Sequence, residues 1–111
     1  MKLSDIKGER TLEVVADIIG PITNIAMDDE ASAFFKKTKL PKGKTAKEFL
    51  LERISKSLPV LLKAHKTDVI SILATIEGVT PTEYGENLNL AKLFQDFVEL
   101  FTDEAFGAFF T

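Results

Sequence analysis

The sequence predicts an all-α fold, an irregular bundle of about five to seven helices forming a single helical domain over residues 1–111. Three observations predict it. Apolar residues recur at helical spacing through most of the chain, while strand-like alternation is nearly absent. Two capping boxes, Thr45-x-x-Glu48 and Thr80-x-x-Glu83, mark helix starts. The four prolines and six glycines fall mostly where helices would begin or stop.

The first helix is expected from Gly8 or Glu9 to Ile19, with Leu12, Val15, Ile18 and Ile19 as its apolar stripe. Gly20-Pro21 should interrupt it, with Pro21 opening a new turn where its missing N–H costs nothing. Ile22, Ile25 and Ala26 continue the stripe. Asp28 is placed to cap a short segment, DEASAFFKK, whose acids and lysines suit the two ends of a helix dipole. TKLPKGK reads as a solvated loop.

Thr45 opens a long helix with Phe49, Leu50, Leu51, Ile54, Leu58, Leu61 and Leu62 inward. Pro59 should kink or split it, because it removes the hydrogen bond to the Ser55 carbonyl. A corner at His65 to Thr67 follows, with Thr67 capping a helix whose buried stripe is Val69, Ile70, Ile72, Leu73 and Ile76. Gly78 fits a left-handed stop. Thr80 and Pro81 start a short helix ending near Gly85. From Leu88 comes the strongest amphipathic segment, with Leu90, Leu93, Phe94, Phe97, Val98 and Phe101 on one face. TDEAFGAFF reads as a last short helix capped by Thr102.

Composition narrows the function. There is no cysteine, so disulfide and thiolate chemistry are absent. No leader-like apolar run opens the chain and no uncharged stretch is long enough for a membrane span, so the expected location is a cytoplasm. The net charge of −3 does not suggest a nucleic-acid partner. Its distribution is uneven: residues 1–35 hold 7 acids and 3 bases, residues 36–76 hold 10 bases and 3 acids, and residues 77–111 hold 7 acids and 1 base. Either the acidic ends fold against the basic middle, or the middle offers a basic face to an acidic partner.

TIEGVTPTEYGENLN, residues 75–89, has the look of a DNA-reading helix–turn–helix corner. The helix after such a turn needs Arg, Lys, Asn or Gln at its start. This one offers Glu83 and Glu86, which repel phosphate, so the corner is expected to be a packed turn with Tyr84 inside. His65 is the lone histidine and no nucleophile elbow exists, so no catalytic residue is assigned and an enzyme is not expected. The Asp28-Asp29-Glu30 cluster lacks the alternating ligands of a calcium loop, and no metal or cofactor is expected.

Two features remain as candidate binding sites. Lys36, Lys37, Lys39, Lys42, Lys44 and Lys47 form the single basic run, a candidate docking loop without the interleaved aromatics of a single-strand binder. Six of nine phenylalanines fall in the last 18 residues. Phe94, Phe97 and Phe101 suit a core. Phe106, Phe109 and Phe110 lie where chains tend to fray, and must be covered by this domain, a second copy or a client. Together with Phe101 they are the candidate protein-binding residues.

MKLSDIKGERTLEVVADIIGPITNIAMD, the lysine loop and LPVLLKAHKTDVISILATIEGVTPTEY together resemble small proteins of the tail modules of tailed phages and prophages of low-GC Gram-positive bacteria. The nearest family is the phage tail assembly chaperones. The resemblance implies a small, helical, non-enzymatic protein of the host bacterial cytoplasm that coats the tape measure protein, brings tail tube protein to it and is absent from the finished virion. It also implies that a frameshifted longer form can exist, and the ending AFGAFFT suits the short form. The alternatives are a structural tail or connector component, and a nucleic-acid-binding phage regulator using the lysines. Self-association is compatible with each.

Overall fold

The computed structural model describes residues 3–35 and 39–110. Among them are a 3-10 turn, Leu3–Asp5, and seven α-helices: α1 Glu9–Ala26, α2 Asp29–Ala33, α3 Ala46–Ala64, α4 Lys66–Glu77, α5 Pro81–Glu86, α6 Leu90–Thr102 and α7 Glu104–Ala108. The all-α bundle expected from the sequence is what the chain forms. No helix among the described residues is long and apolar enough to cross a membrane.

Most helix ends carry the caps the sequence offers. Asp28 accepts from the backbone N–H of Glu30 and Ala31 at 3.1 and 3.2 Å and starts α2. Thr45 Oγ1 accepts from Glu48 N at 3.1 Å and starts α3. Thr80 Oγ1 accepts from Glu83 N at 3.1 Å and starts α5, with Pro81 at its first position. Gly78 closes α4 at φ 85°, and its neighbour Val79 donates back to the Ala74 carbonyl at 3.0 Å. The opening expectation for this corner therefore holds: it is a capped turn, and Tyr84 is 1 % exposed beneath it.

Five features differ from expectation. α1 runs unbroken through Gly20-Pro21 and α3 runs unbroken through Pro59. Each proline deletes one intrahelical hydrogen bond, but the buried stripe stays in register across it: Val14, Ile18, Ile22 and Ile25 in α1, Ile54, Ser57 and Leu61 in α3. Tertiary burial outweighs the local penalty. The cap of α4 is His65 rather than Thr67, and α7 is capped by Asp103 rather than Thr102. α6 begins at Leu90 behind an Asn89 cap, two residues later than Leu88.

The core is one apolar cluster. α1 packs along α4, α4 carries α5 beside it, and α6 and α7 close the other side with the N-terminal turn. Ile18, Ile72, Ala74, Leu61, Phe97 and Phe106 lie at its centre. Tyr84 donates its O–H to Asp96 Oδ2 at 2.7 Å, and burial followed by that carboxylate pushes its pKa well up. Arg10 spans from α1 to the end of α4, donating to the carbonyls of Thr75 and Ile76 at 3.3 Å each. Among the described residues, most of the salt bridges lie within one block rather than between the acidic ends and the basic middle. Lys44 and Lys56 pair with Glu52 inside the middle block, and Lys92 pairs with Glu77 and Asp96 inside the last one. His65 with Asp28 does cross between blocks.

Candidate protein-binding site

α1 is apolar on more than one side. Val14, Ile18, Ile22 and Ile25 turn into the core. Leu12, Val15 and Ile19, three of the four residues expected to form that core stripe, are exposed, Leu12 by 73 %. The expected stripe was right at Ile18, Ile22 and Ile25, which are buried, and wrong at Leu12, Val15, Ile19 and Ala26, which are exposed. The physical reason is that seven aliphatic residues between Leu12 and Ile25 cover far more than the roughly 100° a single core contact needs. Only one arc meets α4 and the other faces solvent.

The outward arc is a strip: Leu12, Val15, Ala16, Ile19, Gly20 and Thr23, ending at Met27, which is 79 % exposed. None of these residues carries a charge. From Leu12 to Met27 the strip spans about 22 Å of helix. Its exposed apolar area is on the order of 500 Å², a size at which a surface patch on a monomer commonly marks an interaction site.

A groove runs beside the strip. Its floor is Val14, Val15 and Ile18 of α1, and its far wall is Leu3 and Ile6 with Ala105, Ala108 and Phe109 of the C-terminal end. It encloses about 640 Å³ and opens to the surface. Asp103 fixes that wall. The residue is 5 % exposed, and its Oδ1 caps α7 by accepting from Ala105 N at 2.8 Å and Phe106 N at 3.4 Å. Its Oδ2 accepts from Ser4 N at 3.0 Å and Ser4 Oγ at 3.3 Å, tying the N-terminal turn to α7.

The phenylalanines divide. Phe106 is 1 % exposed, with its ring 5.0 Å edge-on to Phe35 and 5.2 Å from Phe110. Phe110 is buried and stacks on Phe35 at 4.9 Å. Phe101 is half-buried, 5.4 Å from Phe35, with the Arg53 guanidinium 5.2 Å over its ring. Of the three alternatives for covering this end, the domain itself covers Phe106 and Phe110. Phe109 alone of the last three stays exposed, and it lines the groove. On α6, Leu90 and Phe94 of the expected stripe are also exposed, while Leu100, which lay outside that stripe, is buried with Phe97.

Four of the six lysines of the basic run fall among the described residues. Lys39, Lys42 and Lys47 are exposed and Lys44 is half-buried against Glu52. Lys36 and Lys37 lie outside the described residues.

One titratable cluster lies elsewhere, at the α3–α4 corner. His65 Nε2 is 2.8 Å from Asp28 Oδ2, and Nδ1 is 3.2 Å from Asp68 Oδ2. Asn24 Nδ2 donates to the other Asp68 oxygen at 3.1 Å. Burial works against the charged ring, but the bonds to Asp28 and Asp68 outweigh it and hold the His65 pKa above the ordinary value. The His65 bond, then the Ala31 N–H, hold the Asp28 carboxyl below its usual range. This cluster fastens the α1–α2 junction to the start of α4. Compared with known protein families, characterised proteins and solved structures, the chain matches none.

Proposed function

We propose that the chain is a non-enzymatic holding protein of a phage tail module, a tail assembly chaperone that binds tape measure protein or tail tube protein in the host cytoplasm. The resemblance supplies the client class. The observation that supports holding is the uncharged strip on α1, an apolar helical surface with no cover among the described residues. Such a strip can shield the apolar stripe of a client helix until the client assembles, while the charged remainder keeps the complex in solution.

Co-expression of a tagged chain with the tape measure and tube proteins of the same tail module tests this. The expected result is co-purification of one client by the wild type and its loss in Leu12→Asp/Ile19→Asp, with the helical content of the variant unchanged. Retention of both clients by the variant would remove the strip as the holding surface. Recovery of the chain in stoichiometric amount from purified virions would make it a structural tail or connector component instead.

A further inference from the structure

We infer that the occupant of the α1 strip is an amphipathic helix whose apolar stripe is flanked by Lys or Arg. The inference rests on the protein-holding reading and specifies its partner.

Charge carries the argument. Glu9, Glu13 and Asp17 form an i, i+4, i+8 row along one edge of the strip, each three residues before Leu12, Ala16 and Gly20 of the strip itself. All three are exposed, and none forms an ion pair among the described residues. Glu9 sits in the first turn of α1, where the helix dipole favours an acid, but Glu13 and Asp17 add like charges at i, i+4 spacing that helix stability does not call for. The opposite edge, across the groove, carries Glu104. The nearest base on α1, Arg10, is already committed to the end of α4. The strip is therefore apolar along its centre and acidic along both edges.

The same pattern argues against a second copy. In an antiparallel pair about a two-fold axis, each edge meets the same edge of the copy. In a parallel pair, the Glu9–Asp17 edge meets the edge bearing Glu104. Both arrangements set acids against acids. A Lys- or Arg-flanked helix places opposite charges along the edges and removes the row's self-repulsion. A helix rather than an extended peptide fits because the strip is a helical ridge about four turns long, and no strand edge exists among the described residues to pair with. Ala16 and Gly20 sit at its middle, where a Cβ added at Gly20 meets nothing within 4 Å, so a partner backbone can approach closely.

Two synthetic peptides of equal length and identical leucine stripe, one flanked by Lys and one by Glu, test the inference by titration into ¹⁵N-labelled full chain at low and high salt. The expected result is binding of the Lys peptide with amide shifts centred on Leu12, Val15 and Ile19. Binding of the Glu peptide should be at least about tenfold weaker, and high salt should narrow the gap. Glu9→Lys/Glu13→Lys/Asp17→Lys should invert the preference, and Glu9→Gln/Glu13→Gln/Asp17→Asn should abolish it without inversion. Equal binding of both peptides overturns the charge inference while leaving the holding reading intact. Binding of neither overturns both. Sedimentation of the free chain as a dimer that Leu12→Asp dissociates identifies a second copy as the occupant and overturns the inference.

Discussion

Two apolar regions of the chain, the phenylalanine-rich C-terminal end and α1, exchange the roles that their sequences suggest. The end at Phe106 and Phe110 has the composition of a sticky tail and is core, closed over Phe35. α1 has the composition of a core helix and leaves three of its seven aliphatic residues, Leu12, Val15 and Ile19, in solvent. Local hydrophobicity fixes how much apolar surface a segment has to bury. Which part is buried depends on what packs beside it. α7 is only five residues long and can turn both Phe106 and Phe110 inward. α1 is eighteen residues long and meets α4 along one arc.

The largest effect that tests this contrast lies at the C-terminal end. Phe106→Ala should cost about 3–5 kcal/mol in urea unfolding, whereas Phe109→Ala should cost under about 1 kcal/mol. Similar losses at both positions would mean that Phe109 is as deeply packed as its neighbour. Adjacent residues of α1 give the next test. Ile18→Ala should cost about 2–5 kcal/mol and Ile19→Ala within about 0.5 kcal/mol, since the first is fully buried and the second faces solvent. Reversal of that order would place the core on the arc of Leu12, Val15 and Ile19 instead.

The α3–α4 corner predicts a pH dependence. His65 has a raised folded-state pKa, so its contribution to stability is complete below the ordinary value near 6.5 and declines as pH rises through the folded value. Asp28 has a lowered one, so its share is complete above the ordinary carboxylate range and is lost as pH falls through the lowered value. Unfolding midpoints measured from pH 2 to 9 should therefore fall on both sides of a weakly acidic to neutral optimum. In His65→Gln the alkaline decline should flatten. An unchanged decline in that variant would assign it to other groups.

The smallest effect concerns Gly20. Gly20→Ala should raise stability by about 0.5–1 kcal/mol, because the site is helical and open, and should weaken partner binding if a helix approaches there. A stabilised variant that binds as tightly as wild type would place the contact elsewhere along the strip.

The helix count, the caps at Asp28, Thr45 and Thr80, the stop at Gly78 and the burial of Tyr84 were legible in the sequence because each follows from chemistry within a few residues. The interruption expected at Gly20-Pro21 and the split weighed at Pro59 did not occur, because a buried stripe on either side of each proline is worth more than the hydrogen bond it removes. The faces of α1 and α6 were only half legible. A helix with apolar residues on several sides does not announce which arc meets its neighbour, and Leu12, Phe94 and Leu100 are the residues on which that choice went the other way. The excess width of the α1 stripe was nonetheless visible, and the proposed second contact rests on it.

The most direct test of the central claim compares the two regions by binding. The Lys-flanked peptide would be titrated into Leu12→Asp/Ile19→Asp and into Phe109→Ser, each checked for an unchanged unfolding midpoint. The account predicts that the α1 variant loses binding and that the C-terminal variant loses at most a few-fold, since Phe109 touches only the groove beside the strip. Loss of binding in Phe109→Ser with full affinity in the α1 variant would contradict it.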